Sequence, residues 1–148
     1  MPDLIPRDPK FATRVSESFN RQAFMQRIGA MLSNVAPGAV DVTLPNDPAL
    51  HQQHGFVHGG VLISIADSAA GYAALTLAAP ATGVLTTELK VNFLRPAEFN
   101  RAVARGRVVK PGRTLSVVRC DVFGLKEAAE VHLLTGIVTM MHVDGISD

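Results

Sequence analysis

Residues 51–71, HQQHGFVHGGVLISIADSAAG, combine three features that could serve carbonyl chemistry. His58, Gly59 and Gly60 stand where a long apolar helix is predicted to begin, and Asp67 lies about two turns further along. A helix N-terminus presents unpaired N–H groups and the positive end of the dipole, and glycine lets a ligand approach the backbone closely. A carboxylate in an apolar helix is costly to bury unless it is used. The segment predicts a site that polarises a carbonyl group and activates water.

A stripe of small and polar residues runs along one side of this helix. At about 100° per residue, Gly60, Ser64, Asp67 and Gly71 fall within a narrow sector. A desolvated carboxylate in such a stripe suits a general base or a nucleophile. The alternative is a helix-packing stripe in which backbone or hydroxyl donors bind Asp67.

The length of the helix separates the two chemical groups. Eight residues lie between Gly59 and Asp67, which correspond to about 12 Å of helix rise. An oxyanion donor and a base must each lie within about 3 Å of their target atoms. If both groups serve one site, they come from two helices. Since the chain has one such helix, a homodimer with its active sites at the interface is predicted.

The histidines of this segment also raise the question of a metal site. His51, His54 and His58 are spaced loosely like a zinc cluster, but the Glu that a helical zinc-protease motif requires is missing. Pro48 and Gly55 place the first two histidines in a loop. No metal site is predicted, and His58 is expected to fix the glycine turn near the N-cap. Whether it also contacts substrate is left open.

Composition limits the class of protein. The 148 residues suit one domain, with 47% hydrophobic and 18% charged residues. The net charge of +1 gives no electrostatic support for nucleic-acid binding. Cys120 excludes an internal disulfide and is expected to be buried and inert, and His132 and His142 are expected at core or edge positions. The N-terminus lacks the pattern of a signal peptide, so a cytoplasmic location is predicted.

Residues 61–79 carry a single charge and approach the length of a membrane span. Asp67 near the middle, several hydroxyl residues and the lack of basic flanks oppose that interpretation. A helix that is apolar on all sides is also typical of a fully buried one. We expect no membrane association and a helix in the core.

The remaining elements follow from the period of the apolar residues. Those of 84–95 alternate, so that Leu85, Leu89 and Phe93 are predicted on one face and Thr86 and Glu88 on the other. The predicted elements are one amphipathic helix or two short ones over 10–32, a strand over 39–44, the central helix over 59–78, and strands over 84–95, 101–110, 114–123 and 129–142.

An antiparallel sheet with one apolar face must bury that face, and the central helix is the only element apolar enough to cover it. The predicted class is therefore α+β, with the sheet wrapped around a long central helix. Residues 1–34 are expected to form an N-terminal arm and helix, and 35–145 the main unit of a single domain.

Two segments resemble a known family. Residues 52–71, QQHGFVHGGVLISIADSAAG, and 86–97, TTELKVNFLRPA, resemble the hotdog-fold acyl-CoA thioesterases of the phenylacetate-degradation (PaaI) type. The resemblance covers about 35–145. It implies the hotdog fold, hydrolysis of acyl-CoA thioesters without a cofactor, and homodimers that usually pair into tetramers. The N-terminal helix lies outside it and is expected to add no functional information.

The resemblance also implies roles for individual residues. The amide of Gly59, in the His58-Gly59-Gly60 motif, would polarise the thioester carbonyl. Asp67 of the opposite subunit would act as general base or nucleophile, and Thr86 would help to position water. These three residues and His58 are the catalytic candidates.

Four further residues are candidates for binding the substrate. Gln52 stands where many members of the family have Asn. That Asn either contacts the thioester or holds the loop. Gly60 completes the glycine motif. Arg95 and Arg113 could bind the phosphates of the nucleotide, although solvated surface arginines are the alternative.

Two other functions stay open. A hotdog hydratase or dehydratase acting on acyl thioesters would need a histidine paired with a carboxylate, which His58 and Asp67 could supply only across a dimer. A non-catalytic acyl-CoA-binding module would leave Asp67 without a role.

Overall fold

A single long helix packs against one antiparallel sheet. The computed structural model describes residues 4–146. The helix packs mainly against five of the six strands. The elements in chain order are α1 (Phe11–Arg21), α2 (Ala23–Ile28), β1 (Met31–Ala36), β2 (Ala39–Pro45), a short 3-10 turn (Pro48–Leu50), α3 (Gly59–Leu75), β3 (Thr82–Phe93), β4 (Arg101–Lys110), β5 (Leu115–Lys126) and β6 (Ala129–Asp144).

The strand order of the sheet is β1-β2-β4-β5-β6-β3, and every neighbouring pair is antiparallel. Strands β1 and β3 are therefore the two edges. The α+β class and the hotdog fold are confirmed. The central helix and its five predicted strands are all present, with ends that differ by a few residues.

The N-terminal region differs from the prediction at its end. Of the two alternatives for 10–32, the structure has the two short helices, which meet at Gln22, but Met31–Ala36 is a strand rather than the last helical turn. Gly29 ends α2 in the left-handed conformation, with a φ of 78°. The turn at Pro37-Gly38 then makes β1 and β2 a hairpin. Strand β1 consequently runs across the boundary expected between residues 34 and 35.

Helix α3 lies unusually close to the sheet at one glycine. Gly106 on β4 is buried, and a Cβ atom there would overlap the carbonyl of Ala69 and lie 2.9 Å from the nitrogen of Ala70. Alanines fill the same face of the helix, including Ala66 and Ala73, which are fully buried. Small side chains on α3 thus let the two backbones approach. Within residues 4–146, none of the helices has the length and apolar character needed to cross a bilayer.

Strand β3 contains a bulge at Thr87. Thr86 pairs with Met140 and Glu88 with Thr139, so Thr87 has no partner in the ladder and its hydroxyl donates to the carbonyl of Thr139 at 3.1 Å. The bulge reverses the alternation of faces. The prediction that Thr86 faces away from the helix is therefore wrong. Thr86 faces α3, while Leu85, expected on the buried face, is 48% exposed.

We predict that Gly106→Ala lowers the free energy of unfolding by at least about 2 kcal/mol, because the added methyl group meets helix backbone that cannot move alone. Chemical denaturation would measure this change. Gly71→Ala is the matched control, since a Cβ there would lie 3.6 Å from the Met140 side chain, an ordinary contact, and alanine favours the helix. An equal effect of both substitutions would contradict the close approach at Gly106.

Candidate active site

The first turn of α3 leaves one backbone amide available. His58 is the N-cap, and its Nδ1 accepts the N–H of Gly60 at 2.9 Å while its carbonyl accepts the N–H of Val61 at 2.9 Å. The prediction that His58 fixes the glycine turn is confirmed. The N–H of Gly59, the first residue of the helix, meets no acceptor among residues 4–146. An unpaired amide at the positive end of a helix dipole is suited to bind a developing negative charge.

This amide borders a shallow cleft of about 470 Å³. The ring of Phe93 packs against Gly59. A Cβ atom on that glycine would lie only 3.0 Å from the ring. Gln52 lines the same cleft, and its side-chain oxygen accepts the N–H of His54, which holds the preceding loop. Arg95 is also a lining residue and donates to the carbonyl of His132 at 3.0 Å. Predicted residues Gln52, Gly59 and Arg95 are therefore neighbours.

The carboxylate of Asp67 faces a second cleft, of about 390 Å³. The hydroxyl of Thr86 donates to Asp67 Oδ1 at 2.7 Å, so two of the residues to which the resemblance gives roles are in direct contact within one chain. Asp67 is half-buried. Because Thr86 holds one carboxylate oxygen, the other can act on a bound molecule. The contact depends on the bulge at Thr87, which turns Thr86 toward the helix.

The two clefts are separate within one chain. Among the described residues, none lines both the cleft of Gly59 and the cleft of Asp67. Both groups belong to α3, at positions that the helix rise holds about 12 Å apart. Within one chain, Gly59 and Asp67 thus lie on the same helix and near opposite ends of β3. They face different clefts.

Helix α1 forms part of the wall of the Asp67 cleft, which the sequence analysis missed. Ser18, Arg21 and Gln22 line it, and the guanidinium of Arg14 donates to the carbonyl of Ala79 at 3.0 Å and to that of Thr82. The amphipathic pattern showed only which side of α1 is buried. No spacing in the sequence indicated that its polar residues lie beside Asp67.

Arg113 lies in neither cleft. It lines a third pocket together with Arg7 and His142, at the far end of β6. There Ser116 Oγ lies 2.8 Å from His142 Nε2 and accepts the N–H of Gly112 at 3.3 Å. The Ser116 hydroxyl can donate to His142 only while Nε2 carries no proton. Burial, and secondarily the charge of Arg7, lower the pKa of His142.

The other candidate ligands and nucleophiles lie apart from both clefts. Across residues 4–146, no group of three histidine, cysteine or acidic side chains is arranged to hold a metal ion. His51 lies 2.7 Å from Asn46 Oδ1, and His132 lies 3.1 Å from Asp121 and stacks on Phe123. Cys120 is buried as expected, and this burial raises the pKa of its thiol.

A six-stranded antiparallel sheet packed on one long helix is the hotdog fold. The family model of the thioesterase superfamily matches residues 54–130, just over half of the 148-residue chain. The chain belongs to the thioesterase superfamily.

Similar proteins support this assignment. A thioesterase family protein of Silicibacter pomeroyi is 44% identical, with a TM-score of 0.90 over 91% of this chain and 99% of that one. The PaaI protein of E. coli, from the phenylacetic acid degradation operon, shares the fold at 19% identity, with a TM-score of 0.83 over 92% and 95% of the two chains. A protein of Saccharolobus solfataricus, provisionally named an esterase, is 34% identical over 60% of this chain. The match spans 62% of that protein's length, which is less than two thirds.

The buried position of His142 predicts a pH dependence of stability. The pKa of His142 in the folded chain lies below the ordinary value of 6.5. As the pH falls below that value, the unfolded chain therefore binds more protons than the folded chain. The free energy of unfolding should therefore fall as the pH drops below about 6.5, until it passes the folded pKa.

Denaturation of wild type and His142→Gln over about pH 5 to 8 would measure this contribution. The variant should lose part of the slope below the unfolded pKa. His54→Gln, in an exposed loop, is the control and should keep the wild-type slope. Identical slopes in wild type and His142→Gln would contradict the assignment.

Proposed function

We propose that this protein is a hydrolase that cleaves acyl-CoA thioesters to the free acid and CoA, in sites formed between two copies of the chain. One observation carries the proposal: α3 places an available amide at Gly59 and a hydroxyl-bound carboxylate at Asp67, each in its own cleft. The two are the complementary halves of an acyl-transfer site, an oxyanion donor and a base or nucleophile.

The reaction needs few groups. The amide of Gly59, supported by the helix dipole, stabilises the negative charge that develops on the thioester oxygen. Asp67 either takes a proton from the attacking water or attacks the carbonyl carbon itself, with hydrolysis of the resulting anhydride by water. In both routes the C–S bond breaks, the thiolate leaves and is protonated. Thr86 keeps Asp67 Oδ1 fixed, so that Oδ2 faces the substrate.

The edge strand β3 supports the joining of the two halves. It is 12 residues long, and within residues 4–146 no strand lies on its outer side. Its apolar side chains Leu85 and Phe93 are 48% and 52% exposed, and Leu94, directly after it, is 44% exposed. Such an edge invites pairing with another strand. Isologous, antiparallel pairing of β3 about an axis near residues 89–90 would set Thr86 opposite the partner's Phe93. Asp67 beside Thr86 would then approach the partner's Gly59 beneath Phe93.

The cleft of Gly59 suits the coenzyme. Phe93 and Leu94 offer an exposed apolar surface to the pantetheine arm, and Gln52 and Arg95 are the polar groups beside it. Gly60 keeps the loop close to the substrate through its bond to His58. Arg113, in a different pocket, can reach the nucleotide only if the partner chain brings that pocket near. Pairing of dimers into a tetramer and a cytoplasmic location remain predictions.

The activity is tested by thiol release from a panel of acyl-CoA thioesters. We expect hydrolysis by wild type and loss of at least about a thousandfold in kcat for Asp67→Asn, which keeps the shape of the side chain but removes the base and nucleophile. Cleavage of no thioester, or full activity of Asp67→Asn, would contradict the proposal. Water addition to an enoyl thioester without thiol release would support a hydratase, and tight binding without turnover a binding module.

The role of the Gly59 amide can be isolated with two substitutions. Gly59→Ala and Gly59→Pro both add a Cβ beside Phe93, but only proline removes the N–H. Proline is tolerated at the first helical position, and His58 already has the extended conformation required before it, with a ψ of 135°. We expect kcat of the proline variant to be about 10²- to 10³-fold below that of the alanine variant. Equal values would exclude the amide as oxyanion donor.

Mixing the two defective chains tests the shared site. Equal amounts of Asp67→Asn and Gly59→Pro chains, unfolded and refolded together, should recover about a quarter of wild-type activity. Half of the dimers would be mixed, and each mixed dimer would have one intact site of two. If Gly59 and Asp67 of the same chain formed one site, mixing would restore nothing.

A further inference from the structure

The cleft beside Asp67 ends against buried side chains. Ser68, Tyr72 and Met140 line it and are at most 8% exposed. A coenzyme arm must continue to solvent, whereas an acyl group can end inside the protein. If the proposed function holds, the cleft of Gly59 therefore holds the coenzyme side of the thioester, and the cleft of Asp67, which ends against these buried side chains, holds the acyl side.

One wall of this acyl cleft carries hydrogen-bond donors. It comes from α1 and the residue after it, Arg21 and Gln22. Gln22 uses its side-chain oxygen to accept the hydroxyl of Ser68 at 3.1 Å, which leaves its NH₂ group directed elsewhere. Within residues 4–146, neither that NH₂ group nor the guanidinium of Arg21 has a hydrogen-bond or ion-pair partner.

The acceptors of the same wall are already engaged. Ser18 Oγ lies 3.2 Å from the hydroxyl of Tyr72, and the Gln22 oxygen is bound by Ser68. Arg21 forms no ion pair with Asp67, so the carboxylate in this cleft does not neutralise the charge of the guanidinium. Gln22 is half-buried and Arg21 is exposed. A purely apolar acyl chain would therefore cover the NH₂ group of Gln22 without replacing its water, and would leave the charge of Arg21 without a counterion.

We propose that the acyl cleft selects thioesters whose acyl group ends in a carboxylate, and that Arg21 and Gln22 are the residues that bind this carboxylate. Arginine binds carboxylates in a planar, two-pronged arrangement. The apolar lining between the two ends, which includes Leu75 and Val84, accommodates the methylene chain. The thioester end lies at Asp67 and the distal carboxylate at Arg21, which keeps the two negative groups apart.

The test compares glutaryl-CoA and adipyl-CoA with neutral isosteres in which an isopropyl group replaces the distal carboxylate. Two chain lengths cover the span of the cleft. For wild type we expect kcat/KM for the better dicarboxylic thioester to exceed that for its isostere by at least about tenfold, mainly through KM. Arg21→Met keeps much of the aliphatic stem and should reduce this ratio to about one.

Two further variants separate local binding from net charge. Gln22→Glu keeps the acceptor for Ser68 but replaces the donor by a negative oxygen, so it should lower the ratio as well. Arg27→Met removes the same charge from the exposed face of α2, outside the cleft, and should leave the ratio unchanged. Preference of wild type for the neutral isosteres, an unchanged ratio in Arg21→Met, or an equal change in Arg27→Met would overturn the inference. Hydrolysis of neither kind of thioester would instead contradict the proposed function.

Discussion

The rise of one helix governs how this molecule can work. Helix α3 holds Gly59 at its first turn and Asp67 about 12 Å further along, a distance that no side-chain rotation closes. Every other element is arranged around that fixed separation. The sheet packs on the helix through the glycine contact at Gly106, the His58 cap occupies the second amide and spares the first, and β3 passes both groups along its length.

The local electrostatics follow from the same helix. Its N-terminus concentrates unpaired amides, and the His58 side chain satisfies one of them while leaving Gly59 to a ligand. The carboxylate, by contrast, stands where the helix dipole gives no support, and its fixed partner is the hydroxyl of Thr86. A hydroxyl can orient a carboxylate without cancelling its charge, which an arginine at the same place would do.

The sequence predicted the features that residue type and the spacing of apolar residues report directly. The all-round apolar helix, the glycine opening, the position of Asp67 and five of the six strands could be predicted because residue type alone reports them. The bulge at Thr87 could not, since an extra residue in a strand leaves the polar and apolar pattern locally ambiguous. Strand β1 was missed because the helical spacing of apolar residues continued by coincidence to Met31. The contact of α1 with the Asp67 cleft depends on tertiary packing, which no local pattern encodes.

The attachment of α1 gives the molecule a modular construction. The amide, the carboxylate and the hydroxyl all lie within residues 54–130, the stretch shared with the thioesterase superfamily, whereas Arg21 and Gln22 lie before it on a segment fastened by Arg14 to the carbonyls of Ala79 and Thr82. Changes on the cleft-facing side of α1 can therefore alter the space and polarity beside Asp67 without moving the amide, the carboxylate or the hydroxyl. If these three groups carry out the proposed reaction, reaction chemistry and molecular selectivity are encoded in different parts of the chain, and each can diverge while the other is preserved.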